Sequence, residues 1–361
     1  MKSNFSRAIG LPMARALPDC QNLTLAALLL ACGSPPPPVS PDATGAPVAG
    51  ADVSQSATSK AAPAAPRTLP AFCAGAVTPP SAGNTPAQAK LVKDGFVFVE
   101  GPVWSEQAGA FFFSEMDFNH QGANGPPSKI HKLVLPQSLE VFIAESGSNG
   151  LAADAQGLIA CTHDTQTLSR YDLSTRQRSV FVSDYETKHF NSPNDVALHS
   201  AGHAYFTDPD WQIGERQSET KVTGVYWRRP DGTVTLIDGE LQKPNGVTLS
   251  PDETRLYVGA ANGVVSSYAV LEDGSVGPRQ TFAEVKEPDG MAVDCAGRLY
   301  VTSHGPGEVI VLSADGAVVT KIAVAPRTTN VAFGGADRKT LLITAGSGVY
   351  SVASDVPGFP Y

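Results

Sequence analysis

One pattern of residues recurs six times along the chain, and it limits the possible fold more than any other feature. Each copy is a short apolar strand, a tight turn rich in Gly, Asp or Ser, and a second strand rich in β-branched or aromatic residues. The six copies are EGPVWSEQAGAFFFSE (100–115), SNGLAADAQGLIACTH (148–163), PNDVALHSAGHAYFTD (193–208), PNGVTLSPDETRLYVGA (244–260), PDGMAVDCAGRLYVTS (288–303) and TNVAFGGADRKTLLITA (329–345).

Each copy has an apolar anchor residue at an equivalent position. The anchors are Val103, Leu151, Val196, Val247, Met291 and Val331, and consecutive anchors are 48, 45, 51, 44 and 40 residues apart. A spacing of about 40 to 50 residues is the period of a four-stranded propeller blade. The sequence therefore predicts an all-β fold, a six-bladed β-propeller of four-stranded blades. A β-sandwich is the competing all-β interpretation, but six regular copies favour the propeller.

The sixth copy is followed by only one more strand, at 348–353, so the last blade lacks an outer strand. The segment 95–99, just before the first copy, is predicted to supply it. Closing the ring in this way leaves no open sheet edge between the first and last blades.

The N-terminal region is predicted to direct export. Three basic residues precede an uncharged, mostly apolar stretch at 23–31, which is too short to span a bilayer but suits the core of a signal peptide. The sequence Leu-Leu-Ala-Cys at 29–32 resembles a bacterial lipobox. Residues 1–31 are thus predicted to be a lipoprotein-type signal peptide, with Cys32 acylated and the protein exported to the cell envelope. The alternative is ordinary secretory cleavage, with Cys32 unmodified.

Residues 32–72 are rich in Pro and Ala and show no apolar periodicity, so we expect a disordered linker, followed by the propeller at 73–361. The domain is expected in the periplasm or outside the cell, touching the membrane through the lipid anchor only. The net charge of −9 argues against a nucleic-acid partner. Of the three cysteines in the predicted domain, Cys73, Cys161 and Cys295, two can form a disulfide, and the sequence leaves the pairing open.

Oxygen-bearing side chains recur at the start of the inner strand of the blades. Two residues before the anchors stand Gly101, Asn149, Asn194, Asn245, Asp289 and Thr329, and Glu100 lies one residue further back in the first copy. Equivalent positions of a propeller lie on a ring around its axis, so these side chains are predicted to converge at one mouth of the channel. Any single Asn or Asp can instead cap its own turn.

The carboxylates of Glu100 and Asp289 with the amides of Asn194 and Asn245 form an all-oxygen set. Such a set favours one divalent cation, with Ca²⁺ first, Mg²⁺ or Mn²⁺ as alternatives and Zn²⁺ less suited.

A second set of polar residues stands twelve positions after the anchors, where the partner strand returns to the same mouth. These residues are Glu115, His163, Asp208 and Ser303. We expect them to line the pocket outside the metal and to contact a hydroxyl-rich ligand. His163 or Asp208 is a candidate acid or base, although packing and turn roles suit both equally well. Trp211 is a candidate pocket wall, and Trp104 is either wall or blade core.

At these residues the sequence resembles the senescence-marker-protein/gluconolactonase family of regucalcin-like propellers, in particular its bacterial gluconolactonase branch. The resemblance extends in order over 90–353, through EGPVW, NSPND with YFTDP, KPNGVTLSPDETRLYV and EPDGMAVD. It implies a divalent cation held by Glu100, Asn245 and Asp289, with Asn194 close to both metal and substrate. It also implies that Asp289 donates or accepts a proton.

The substrate-binding candidates are Asn149, His163, Ser192, Asn194 and Asp208. Regucalcin-like members carry Arg where Ser192 stands, and a segment at 117–128 is predicted to add a loop near one mouth.

The sequence thus predicts a metal-dependent hydrolase that opens small lactones of the gluconolactone or aldonolactone type in the propeller channel. It contains no G-x-S-x-G motif, which disfavours a serine hydrolase. Two alternatives remain. One is a membrane-tethered propeller that binds a ligand or calcium without catalysis; the other is an esterase that acts on non-sugar lactones or phosphotriesters.

Overall fold

The computed structural model describes residues 62–74, 87–136 and 138–359. Within these ranges, 25 β-strands and one short 3₁₀ helix (Ala71–Cys73) are present. Twenty-four of these strands form six antiparallel blades of four strands around a common axis, which confirms the predicted six-bladed β-propeller. The remaining two-residue strand, at 87–88, pairs in parallel with the outer strand of the fifth blade. No helix in these ranges has the length and apolar character needed to cross a membrane. The predicted signal peptide, Cys32 and the linker up to residue 61 lie outside the described residues.

We number the strands in chain order and the blades from 1 to 6. Strands β1 (Ala87–Gln88) and β2 (Lys90–Asp94) precede blade 1. Blade 1 contains β3 (Val99–Ser105), β4 (Ala110–Met116), β5 (Ser128–Val134) and β6 (Ser138–Ile143). Blade 2 contains β7 (Ser148–Asp154), β8 (Gly157–Thr162), β9 (Thr167–Tyr171) and β10 (Arg178–Val182). Blade 3 contains β11 (Val196–Leu198), β12 (Ala204–Asp208), β13 (Gly224–Arg228) and β14 (Val234–Asp238).

The remaining three blades follow the same order from the axis outward. Blade 4 contains β15 (Pro244–Leu249), β16 (Arg255–Ala260), β17 (Val264–Ala269) and β18 (Gln280–Glu284). Blade 5 contains β19 (Pro288–Val293), β20 (Leu299–Ser303), β21 (Glu308–Leu312) and β22 (Val318–Ala323). Blade 6 contains β23 (Thr328–Gly334), β24 (Thr340–Ala345), β25 (Gly348–Ala353) and β2.

The apolar anchors of the repeat lie on the innermost strand of each blade, and all six are at most 2% exposed. Apolar side chains cover both faces of the inner strands because each blade packs between two others. At the junction of blades 6 and 1, for example, Trp104 and Phe111 share a cluster with Leu342. The Trp104 and Phe111 ring centroids lie 4.9 Å apart. Trp104 is therefore blade core, one of its two predicted roles.

The ring closes where β2 pairs antiparallel with β25 as the outer strand of blade 6. The predicted closure is thus present, but residues 90–94 supply it and not 95–99. The physical reason is the backbone at Gly95, where a φ of +94° ends the strand. The following residues carry the chain from the outer edge of blade 6 to the inner strand of blade 1.

The segment 62–74, which we call the N-terminal strap, lies against the propeller. Ala64 N–H donates to the Val270 carbonyl at 3.0 Å, and Arg67 forms an ion pair with Glu253. The predicted disordered linker therefore does not extend through residues 62–72. The strap also contacts Asp252 and Cys295, in the turns that follow the inner strands β15 and β19. It therefore lies at the end of the propeller opposite to Asn245 and Asp289, which stand at the start of those strands.

A disulfide between Cys73 and Cys295 fastens the strap to blade 5, and Cys161 is a free thiol buried in blade 2. The structure thereby settles the pairing that the sequence left open. The bridge links residues 222 positions apart, so it removes a large amount of conformational freedom from the unfolded chain.

We expect reduction of this disulfide to lower the free energy of unfolding by about 2–5 kcal/mol. Urea unfolding with and without a reductant measures the effect. Cys73→Ser should be as unstable as the reduced protein and insensitive to the reductant, whereas Cys161→Ala keeps the reductant-dependent difference. Equal stability of the oxidised and fully reduced wild-type protein would contradict this prediction.

Candidate active site

The same backbone irregularity places the predicted ring residues in five blades. In blades 1, 2, 4, 5 and 6 the inner strand carries one extra residue before its anchor, so that it advances one residue further than the neighbouring strand. Such a β-bulge turns side chains out of the regular ladder. Glu100 is the last paired residue before the bulge of blade 1, and Asn245 and Asp289 lie within the bulges of blades 4 and 5.

These residues meet at a cavity of about 380 Å³ at one mouth of the channel. Its lining includes all four residues predicted to hold a metal, Glu100, Asn194, Asn245 and Asp289. Each of the four is less than a tenth exposed. The rest of the lining consists of Phe98, Phe118, Trp211, Gln212, Ala261, Glu287, Pro288 and His304.

The carboxylates at this mouth are close enough to disturb one another. Burial raises the pKa of Glu100 well above its ordinary value, and the nearby carboxylates of Asp289 and Asp195 raise it further. Burial also raises the pKa of Asp289, although hydrogen bonds to His304 and Asn245 oppose that effect. Asp195 accepts hydrogen bonds from the Val196 and Val247 N–H groups, and burial raises its pKa to about 7.

The chemistry of this donor set fits a hard divalent cation. Two mutually repelling buried carboxylates are costly without a positive charge, and the neighbouring amides of Asn194 and Asn245 supply neutral oxygens. Among the residues that the structure describes, no three His, Cys, Asp or Glu side chains are grouped so as to hold a metal. A cation at this mouth therefore depends on the amide oxygens as well as on Glu100 and Asp289.

His304 lines the cavity, and sequence reasoning missed it. Its Nδ1 lies 3.2 Å from Asp289 Oδ2, and this hydrogen bond to the carboxylate raises the pKa of the imidazole. His304 stands thirteen positions after the anchor Met291, whereas the second predicted set of polar residues stands twelve positions after the anchors. Gln212 was also missed. It lies in a loop outside the repeat, and its Oε1 is buried without a hydrogen-bond partner in the described part of the chain.

The other predicted substrate-binding residues, Asn149, His163, Ser192 and Asp208, lie outside the lining of this cavity. Asp208 accepts hydrogen bonds from the Asn191 and Ser192 N–H groups, both at 2.8 Å. Asn149 is 1% exposed, and its Nδ2 has no hydrogen-bond partner among residues 62–74, 87–136 and 138–359. None of these four side chains reaches the lining of the cavity.

Glu115 and Ser303, from the same predicted set, also bond within the fold. Glu115 Oε2 lies 2.7 Å from His131 Nε2, and the Ser303 hydroxyl donates to the Lys286 carbonyl at 2.6 Å.

Two loops form one wall of the cavity. The first, loop 117–127 between β4 and β5, contributes Phe118, which agrees with the predicted inserted loop near one mouth. The second, loop 209–223 between β12 and β13, contributes Trp211. The two loops are joined by a hydrogen bond of 3.0 Å from Glu215 N–H to the Ala123 carbonyl.

His163 and Ser192 support this wall from below. His163 is fully buried, and its Nε2 donates to the Pro126 carbonyl at 2.8 Å, in the first loop. Burial lowers the pKa of His163. The Ser192 hydroxyl donates to the Pro209 carbonyl at 2.7 Å and accepts from Gln212 N–H at 3.2 Å, both in the second loop.

Asp208 gives a prediction for the pH dependence of stability. Burial raises its pKa to about 8, above the value of about 4 in an unfolded chain. The folded state therefore holds a proton that the unfolded state releases, and the contribution of Asp208 to stability is fully present below about pH 4 and lost as the pH rises through about 8.

We expect Asp208→Asn to weaken the fall in unfolding free energy between about pH 5 and 8, as measured by urea unfolding. Asp231→Asn is the matched control, because this exposed carboxyl has a lowered pKa and does not titrate in that window. An unchanged pH slope in the Asp208 variant would contradict the prediction.

Comparison with known proteins agrees with the fold just described. The family model described as "SMP-30/Gluconolactonase/LRE-like region" matches residues 98–347. A gluconolactonase of Zymomonas mobilis is 31% identical over 284 residues, which is 72% of this chain and 79% of that protein. A pentonolactonase of Haloferax volcanii is 28% identical over 256 residues, which is 69% of this chain and 81% of that protein.

Among solved structures, a gluconolactonase of Xanthomonas campestris superimposes with a TM-score of 0.66 at 28% identity. The match covers 82% of this chain and 97% of that one. The residues matched by the family model make up more than half of the chain and include Glu100, Asn194, Asn245 and Asp289. The chain therefore belongs to the SMP-30/gluconolactonase/LRE-like family.

Proposed function

We propose that this protein is a lactone hydrolase whose reaction takes place at the mouth lined by Glu100, Asn194, Asn245 and Asp289, with one divalent cation, Ca²⁺ first, held by these residues. The observation that carries the proposal is the convergence of two buried carboxylates and two amides on one cavity of a family propeller. Relatives named gluconolactonase and pentonolactonase support lactones as the substrate class.

The chemistry is the addition of water to the lactone carbonyl, followed by cleavage of the ring carbon–oxygen bond. A divalent cation bound here supplies Lewis-acid polarisation of that carbonyl. Asp289 accepts a proton from the attacking water and returns it to the alkoxide that leaves as the ring opens. The product is a hydroxy acid, whose carboxyl group ionises and releases one proton.

The neighbouring residues orient Asp289 and exclude water. His304 Nδ1 is bonded to Asp289 Oδ2, so it fixes the direction of the carboxyl group. Asn245 donates a further hydrogen bond to Asp289. Phe98 is only 8% exposed and closes the side of the cavity next to His304, at 6.3 Å between the two rings.

We expect Asp289→Asn and Glu100→Gln to lower kcat/KM for lactones by at least about 100-fold, because each removes a buried carboxylate from the mouth. Proton release in a pH-stat measures the turnover, with D-glucono-δ-lactone and simple γ-lactones as substrates. Asp273→Asn, at an exposed turn of blade 4, is the matched control.

Calorimetric titration with Ca²⁺ after treatment with a chelator gives a second readout that does not need activity. It should detect one site per chain in the wild-type protein and none in the two variants. Full activity after exhaustive chelation, or in the Asp289 variant, would refute the proposed mechanism. Ca²⁺ binding without turnover of any lactone would instead favour a binding protein.

We also propose that the protein is exported and anchored through an acylated Cys32. The disulfide between Cys73 and Cys295 supports export, because such bonds persist in oxidising compartments.

Cys32→Ala should move the protein from the membrane fraction to the soluble periplasmic or extracellular fraction, as immunoblotting of cell fractions would measure. Mass spectrometry of the wild-type N-terminal peptide should find the acyl groups, and Cys161→Ala is the cysteine control. An unmodified Cys32 in the mature protein would contradict the anchor.

A further inference from the structure

The lining of the cavity combines polar and apolar side chains. Besides the polar residues, it contains three aromatic rings and two small apolar side chains: Phe98, Phe118, Trp211, Ala261 and Pro288. Trp211 is 38% exposed, whereas the other two tryptophans of the chain are 8% and 2% exposed. An exposed aromatic surface beside a catalytic mouth is typical of a site that an apolar group covers.

The aromatic rings are held in place by the fold. Phe118 packs edge to face on Phe98 with ring centroids 5.2 Å apart, and the Arg327 guanidinium lies 4.7 Å from the Phe98 ring. Loop 117–127 and loop 209–223 are bonded to each other, and His163 and Ser192 bond their backbones from beneath. The apolar wall is therefore a formed part of the cavity.

Apart from Glu100, Asn194, Asn245 and Asp289, three polar side chains line the cavity: Gln212, Glu287 and His304. His304 is bonded to Asp289, and the buried Oε1 of Gln212 has no hydrogen-bond partner among the described residues, so it is the one clear acceptor for a substrate hydroxyl there. Ser192 and Asp208, which the sequence suggested for that role, are completely buried and bonded to backbone. Glu287 lines the cavity but accepts a hydrogen bond of 2.8 Å from Gly305 N–H. A ring with hydroxyls on several sides would place some of them against the aromatic carbon of Phe98, Phe118 and Trp211, which costs free energy for each lost hydrogen bond with water.

From this geometry we infer that the preferred substrate is an uncharged lactone with an apolar ring substituent, which packs against Phe118 and Trp211 while the carbonyl lies at Glu100, Asn194, Asn245 and Asp289. The inference rests on the proposed lactone hydrolysis. A cavity of about 380 Å³ is large enough for a lactone ring that carries one further ring, since small-molecule sites span about 300–1,000 Å³.

The test compares two lactones that differ only in one apolar group, γ-phenyl-γ-butyrolactone and γ-butyrolactone. For the wild-type protein we expect kcat/KM to be at least about tenfold higher for the phenyl compound, because burying an aromatic ring on a complementary wall gives a preference of that size. Phe118→Ala and Trp211→Ala should reduce this ratio to below about threefold. The ratio is internal to each variant, so a partly unfolded preparation does not change it.

Val180→Ala is the matched control, because Val180 is 65% exposed on the outer strand of blade 2 and should leave the ratio unchanged. Equal kcat/KM for the two lactones in the wild-type protein, or a ratio that survives both aromatic substitutions, would overturn the inference while leaving lactone hydrolysis in place. A higher kcat/KM for D-glucono-δ-lactone than for the phenyl compound would overturn it as well.

A binding measurement separates this inference from the proposed activity. The change in tryptophan fluorescence that is absent from Trp211→Ala reports on occupancy of the wall, since Trp104 and Trp227 are buried elsewhere. The probes are γ-phenyl-γ-butyrolactam and γ-butyrolactam, whose amides resist hydrolysis. We expect the phenyl lactam to bind at least about tenfold more tightly and Phe118→Ala to remove that preference. If no lactone is turned over but the lactam preference is present, the proposed function fails and the apolar ligand class stands. If the lactams bind equally, the inference fails whatever the turnover.

Discussion

The close approach of the inner strands at the propeller axis is the constraint on which the site depends. A Cβ at Gly150 would lie 2.4 Å from the Asn194 carbonyl oxygen, and one at Gly246 would lie 2.2 Å from that of Asp289. These distances require glycine, because real Cβ contacts are longer. With neighbouring blades in contact, the bulged residues stay buried at the mouth, and Glu100 and Asp289 keep their raised pKa values. The electrostatics of the site thus follow from backbone packing.

The blades and the inner ring were predictable because both repeat. Six copies in register define the strands, and a residue such as Asn245 or Asp289 can be placed by its distance from an anchor alone. The same symmetry contained a further signal in Asp195. It occupies a position where three other blades have glycine, so its side chain extends into the narrow centre of the channel.

The remaining features do not repeat, and the sequence carried little information about them. Phe118 and Gln212 lie in loops whose course depends on contacts between blades. His163 shares its offset with residues of the other blades, but an offset fixes only the end of the propeller and not whether a side chain faces the cavity or the underside of a loop. The strap at 62–74 has the composition of a linker, and its order comes from contacts with Glu253 and from the disulfide.

The hydrogen bond between Glu215 and Ala123 has a consequence for how related propellers diverge. Because the loops that carry Phe118 and Trp211 are bonded to each other, a substitution that moves one loop also moves the other. We therefore expect new substrate preferences to arise when both loops are replaced together, while the ring of Glu100, Asn194, Asn245 and Asp289 stays unchanged. Transplanting one loop alone into a related propeller would transfer only one of these two aromatic side chains.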